Sequence, residues 1–176
     1  MRRYGTAVDH GFAELSRLIP PPAGGVGSSG VWGEIESALG VRLPADYKQL
    51  VESYGIAEFA GFLRLLDPQV MATVARKILK DEIPLREEWP DQYPYTFHPE
   101  PGGLLGWATT NNGDWLCWLT EGEPDGWPIV VWARRPMWYH QHELGSAAFL
   151  SGWLTGRITS LVPPRHDEPL YRAPGS

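Results

Sequence analysis

The apolar positions of this chain change period several times, and each change predicts an element. Val8, Phe12, Leu15, Leu18 and Ile19 fall at helical spacing and predict a first helix that ends before Pro20-Pro21-Pro22. Trp32, Ile35 and Leu39 resume the helical period and stop at Gly40, a residue that adopts the left-handed helix-ending conformation at little penalty. Pro44 suits a first helical turn, and Tyr47, Leu50, Val51 and Tyr54 follow on one face before Gly55. Phe59 and then Phe62 to Leu66 read as a short strand closed by Asp67-Pro68. Asp67 is placed to cap a further helix and Pro68 to open it, with Val70, Val74 and Ile78 on its apolar face as far as about Lys80.

The second half of the chain turns to period two. Leu104–Thr109 and Trp115–Leu119 predict a hairpin across Asn111-Asn112-Gly113-Asp114, Asn-Gly being a strong hairpin signal. Trp115, Cys117 and Leu119 fall on one face of their strand and Leu116 and Trp118 on the other, and two apolar faces imply a central strand. Gly122 to Pro128 forms the next turn, Ile129 to Trp132 the next strand, and Met137 to Tyr139 a short strand after Arg134-Arg135-Pro136. Phe149, Leu150, Trp153 and Leu154 line a last helix ended by Gly156, and the polar tail from Pro163 is expected to be mobile or draped on the surface. Helices first, strands in the middle and a helix last make an α+β fold, an antiparallel meandering sheet with helices packed mainly on one face. The expected organisation is an N-terminal helix and Pro/Gly-rich linker over residues 1–30, a core domain over 31–157 and a tail over 158–176.

The chain's 176 residues suffice for one domain with a sizeable core, and its single Cys117 excludes an internal disulfide. With no apolar leader after Met-Arg-Arg and no membrane-length apolar run, the expectation is a soluble cytoplasmic protein. A net charge of −6 disfavours nonspecific binding to nucleic acid or anionic membranes. The preference for Arg over Lys hints at a bacterial source. Gly25 to Gly30 matches the dinucleotide-binding spacing, but prolines rather than a strand precede it, so it reads as linker.

The candidate chemistry is sparse. Cys117 lies among strand tryptophans and reads as a small core residue rather than a nucleophile. His140 and His142 would share a strand face, yet two histidines make no metal site without a third ligand, for which His98 and His10 are the candidates. Adjacent Glu87 and Glu88 diverge on a helix or strand, and no GxSxG, HExxH, P-loop or paired CxxC pattern occurs. No catalytic residue, cofactor or metal is therefore predicted. Residues 81–100 combine six carboxylates with Trp89, Tyr93, Tyr95 and Phe97, broken by Pro84, Pro90 and Pro94, and read as irregular and partner-facing. Of the nine tryptophans, Trp89 and Trp138 are the candidates for exposed contacts and the other seven read as core.

Trp32, Ile35, Glu36, Leu39, Gly40, Leu43-Pro44-Ala45-Asp46-Tyr47, Leu50, Tyr54, Gly55, Phe59 and Asp67, in that order, resemble the opening signature of the SUKH superfamily. Gly106 to Leu119 followed by Trp127 to Val131 resembles its central hairpin, and with Phe149 to Trp153 the likeness spans residues 30 to 157. The resemblance implies the same α+β architecture and a noncatalytic binding protein. Bacterial members are associated with immunity against polymorphic toxins, so the implied partner is a cognate toxin domain, often a nuclease. The alternative, by likeness to the yeast cell-wall assembly regulator after which the superfamily is partly named, is a regulatory or scaffold domain without a toxin. No direct contact with nucleic acid or membrane is expected, and the expected state is a monomer or weak dimer. Composition and expected exposure, rather than the signature, nominate Glu87, Glu88, Trp89, Asp91, Glu121, Glu123 and Asp125 as the partner-binding surface.

Overall fold

The computed structural model describes residues 5–23, 31–164 and 167–174. The helices are α1 (Gly5–Leu18), α2 (Trp32–Leu39), α3 (Ala45–Tyr54), α4 (Pro68–Glu88) and α5 (Ser146–Leu154). The strands are β1 (Glu58–Phe59), β2 (Leu63–Leu65), β3 (Leu104–Thr110), β4 (Trp115–Leu119), β5 (Ile129–Arg134), β6 (Met137–His142) and β7 (Tyr171–Arg172). They form one antiparallel sheet in the order β6-β5-β4-β3-β2-β1-β7. The α+β meander expected from the sequence is the fold observed. The glycine-rich stretch from Gly25 to Gly30 and the side chain of Val8 lie outside the described residues.

Two apolar clusters explain why β4 is hydrophobic on both faces. Leu116 and Trp118 point into the larger cluster, where Leu15, Ile35, Tyr47, Tyr54, Phe149 and Trp153 arrive from α1, α2, α3 and α5. Cys117 and Leu119 point the other way, into a smaller cluster with Val130, Trp132, Tyr93 and Phe97, flanked by Ile78 and Leu79 of α4. Most helices thus cover one face, while the second half of α4 and the chain that follows it cover the opposite one.

Several elements differ from the sequence expectation: β6 runs on from Tyr139 to His142, and β7 forms within the tail expected to be mobile or draped on the surface. The single strand read over Phe59 to Leu66 is a tight hairpin, because Ala60 and Gly61 take φ of 49° and 60° and reverse the chain between β1 and β2. The helix expected to end near Lys80 runs to Glu88 with Pro84 inside it. Pro84 is exposed, and the added turns are anchored by buried Glu82, which accepts from Arg134 Nη1 at 2.7 Å and from the Tyr93 hydroxyl at 2.8 Å. Tertiary contact here overrides a local helix breaker. Asp67 caps α4 as expected, its Oδ1 accepting from Gln69 N at 2.9 Å.

The outlying segments join the same body. Leu15 and Ile19 lie in the larger cluster, α1 packs on α5, and β7 pairs with β1. These ends meet at Tyr54, whose hydroxyl donates to Ile19 O at 2.7 Å while the Tyr171 hydroxyl donates to Tyr54 O at 3.0 Å. Among the described residues no helix is long and apolar enough to cross a membrane.

Candidate functional site

The signature residues of the α2–α3 unit have structural tasks that can be read atom by atom. Glu36 Oε1 accepts from Leu43 N at 2.9 Å and from Lys48 Nζ at 2.7 Å, tying the α2–α3 link to both helices. Burial raises the Glu36 carboxyl, but the Leu43 amide and the Lys48 ammonium outweigh it, so the group titrates below its usual range. Asp46 is buried in the first turn of α3, yet its Oδ2 accepts from Ala147 N at 3.0 Å, so one helix caps another. Burial holds its carboxyl above the ordinary range, partly offset by amides of Ala147, Tyr47 and Ser146. A Cβ on Gly145 would lie 2.6 Å from Asp46 Oδ2, so this approach requires glycine. Tyr47 completes the joint, donating to Leu66 O at 2.8 Å and meeting the Trp118 ring edge-on at 4.9 Å.

The seven nominated contact residues are all exposed and fall into two groups. Glu87 and Glu88 end α4, and Trp89 and Asp91 follow in a 3-10 turn, with Trp89 52% exposed. Glu121, Glu123 and Asp125 lie on the turn between β4 and β5, and among the described residues no hydrogen bond or ion pair joins the two groups. Part of the second group is engaged by the fold itself. Asp125 Oδ1 accepts from Ala45 N at 2.7 Å, and Glu123 pairs with Arg42 at 3.0 Å. Asp125 thereby supplies the N-terminal cap that Pro44 cannot give α3 from its own side chain. Asp125→Ala is expected to lower stability by about 1 kcal/mol, read as a shift in urea midpoint at constant slope. An unshifted midpoint would show that solvent replaces the bond without loss. Glu123→Ala serves as the comparison, because so exposed an ion pair contributes little.

The partner-facing reading of residues 81–100 is narrowed by the structure. Tyr93 and Phe97 are buried in the smaller cluster, because the second sheet face needs apolar cover, and Glu100 accepts from Arg86 at 3.1 Å. Burial and then Glu82 push the Tyr93 hydroxyl up to about 12. Trp89 and Trp138 are the exposed tryptophans, at 52% and 37%. Cys117 is buried and desolvation drives its thiol far upward, leaving no thiolate for nucleophilic work.

Sequence reasoning missed a groove of about 1120 Å³ between β6 and the segment after α5. Ala133, Trp138, His140 and His142 line it from the sheet, Arg135 from the β5–β6 turn, and residues 157–162 from the facing wall. His140 and His142 do share a face, their rings 4.5 Å apart, and His142 Nε2 lies 2.8 Å from Ser160 Oγ. Burial, and then His140, hold His142 below the usual imidazole range. His98 lies elsewhere, with Nε2 2.9 Å from Leu39 O, and among the described residues no group of three or more potential ligands could hold a metal. The only local hint of the groove was the alternation of Trp138, His140 and His142, since its facing wall comes from a later part of the chain.

Residues 31–150 match the SMI1-KNR4 cell-wall family model, SUKH_6. The chain belongs to the SUKH family. No curated protein and no solved structure matches it. The matched segment of this SUKH chain runs from the start of α2 into α5, and so contains Glu36, Asp46 and Tyr47 together with their partners Leu43, Lys48, Leu66 and Ala147. Those contacts build the scaffold on which the exposed surfaces are carried.

Proposed function

We propose that this SUKH chain is a noncatalytic immunity-type protein that binds and neutralises a cognate toxin domain through a surface interface. Family membership supports the class of binding protein. The observation that carries the choice of surface is Trp89, a half-exposed indole flanked by exposed Glu87, Glu88 and Asp91 at the end of a long helix anchored through buried Glu82. A large aromatic on a rigid support can contribute binding energy, and the carboxylates speed encounter with a basic active site. Glu121 extends the acidic surface from a second turn, with Glu123 and Asp125 contributing their outer edges.

Affinity capture from lysate, followed by co-expression of the captured protein, tests the reading. The expected result is a stoichiometric partner whose toxicity is suppressed by the wild-type chain. Glu87→Lys with Glu88→Lys is expected to weaken capture by about tenfold or more, with loss of growth rescue. Unchanged capture by that variant would remove the α4 patch from the interface. A stable partner with no toxicity would favour a regulatory or scaffold role instead.

A further inference from the structure

We propose that the groove beside β6 receives an extended acidic peptide segment, which adds to the sheet as a further strand next to β6. The site is separate from the acidic surface above, and the proposal does not rest on the toxin-neutralisation reading.

Three observations meet at this place. First, β6 is a six-residue edge strand whose only strand partner among the described residues is β5. No backbone hydrogen bond among the described residues joins it to the 157–162 segment facing it. An edge of this length presents a row of backbone donors and acceptors, and natural edges are usually blunted by proline, lysine or shortness. The opposite edge of this sheet shows such blunting, since β7 has two residues, whereas β6 contains neither lysine nor proline. Second, the sheet face beside that edge is concave rather than flat, the groove being lined by Trp138, His140 and His142 of β6 and Ala133 of β5. The groove volume of about 1120 Å³ leaves room for side chains projecting from an added strand, and Trp138 offers an indole 37% exposed.

Third, the lining is richer in basic than in acidic side chains, unlike the molecule as a whole. In a chain of net charge −6, the groove is bounded by Arg135, Arg157, His140 and His142. Asp114 is its one carboxylate, and it is already committed, with Oδ1 accepting from Arg134 N at 3.1 Å and Oδ2 from Thr110 Oγ1 at 3.0 Å. Arg157 is held by Glu14 of α1, which leaves Arg135 as the cation without an ion-pair partner among the described residues, beside a histidine pair that gains charge only on protonation. A nucleic-acid strand would also meet cationic and aromatic groups here. It would lack backbone amides to pair with β6, however.

The test uses the full chain and a fluorescein-labelled peptide of alternating Glu and Thr, about ten residues long to match a long strand. Its Lys/Thr counterpart and an oligouridine serve as competing probes. The expected result is saturable anisotropy for the acidic peptide alone, with hydrogen-exchange protection appearing at residues 137–142. Arg135→Glu is expected to weaken binding by about tenfold, while Lys80→Glu, the same charge change on exposed α4, leaves it unchanged. His140→Glu provides a second exposed position should Arg135→Glu fail to fold. Binding should tighten as pH falls from about 7 to about 5, because protonation of His142, which burial holds below the usual imidazole range, adds positive charge while most peptide carboxylates stay ionised. Absence of saturable binding, equal binding of the lysine peptide, preference for oligouridine, or protection confined to other strands would each overturn the proposal. So would sedimentation showing β6 already occupied by a second copy.

Discussion

Trp118→Ala is expected to remove about 4 kcal/mol of stability. Trp118 is buried on β4 at the point where three elements converge. It meets Tyr47 of α3 edge-on at 4.9 Å, stacks on Trp107 of β3 at 6.0 Å, and donates from Nε1 to Ser146 Oγ of α5 at 3.0 Å. Truncation opens a cavity that these rigid neighbours cannot collapse into and leaves the Ser146 hydroxyl without its donor. Since domains of this kind have total stabilities of about 5–15 kcal/mol, the variant should melt about 8–16 °C below the wild type. Trp118→Phe should lose less, because it keeps one aromatic ring in the site while giving up the pyrrole part of the indole and its bond to Ser146. Calorimetry showing a fall no larger than that of the exposed Trp138→Ala would refute the assignment of Trp118 as the centre of the joint.

Glu82→Ala should cost about 3 kcal/mol, for a different reason. Its carboxylate is buried against the smaller cluster, bonded to Arg134 and Tyr93, and the Arg134 guanidinium also lies 4.5 Å from the centre of the Trp132 ring. Removing the acid leaves a partly buried cation and a buried phenol without their acceptor, so the penalty arises from what remains. Replacing both partners, as Glu82→Met with Arg134→Met, is expected to recover most of the loss, because an apolar pair needs no compensation for desolvation. A double-mutant cycle in urea measures this directly. Additive losses from the two single substitutions would show that the pair is not coupled. The same cycle bears on function, since Glu82 anchors the helix that carries Glu87, Glu88 and Trp89.

Local structure was legible wherever a period and its punctuation lay together in sequence. Pro44, Tyr47, Leu50, Val51, Tyr54 and Gly55 state a helix within twelve residues, and α3 occupies that stretch. The alternation from Trp115 to Leu119 likewise announced a strand with two buried faces. What could not be read were polar contacts between distant residues. Asp46 caps a helix 101 positions away, and Glu82 pairs 52 positions ahead, with nothing local to mark either partner. The reading of Tyr93 and Phe97 failed for a related reason. Whether an aromatic residue in an acidic, proline-broken stretch is exposed depends on whether a sheet face needs covering, and that is set by strand order. The groove beside β6 combines residues from 112 to 162, so its basic character exists only after folding.

The meeting of the outlying segments at Tyr54 has a consequence for the order in which the molecule assembles. The bond from Tyr171 closes a loop of 117 residues and that to Ile19 one of 35, whereas the strands from β3 to β6 pair with sequence neighbours across short turns. Closing the long loop from an unfolded chain carries the larger entropic cost, so the meander should form while this corner is still open. During synthesis β1 would wait for β7 to leave the ribosome, with its outer edge unpaired until the last strand arrives.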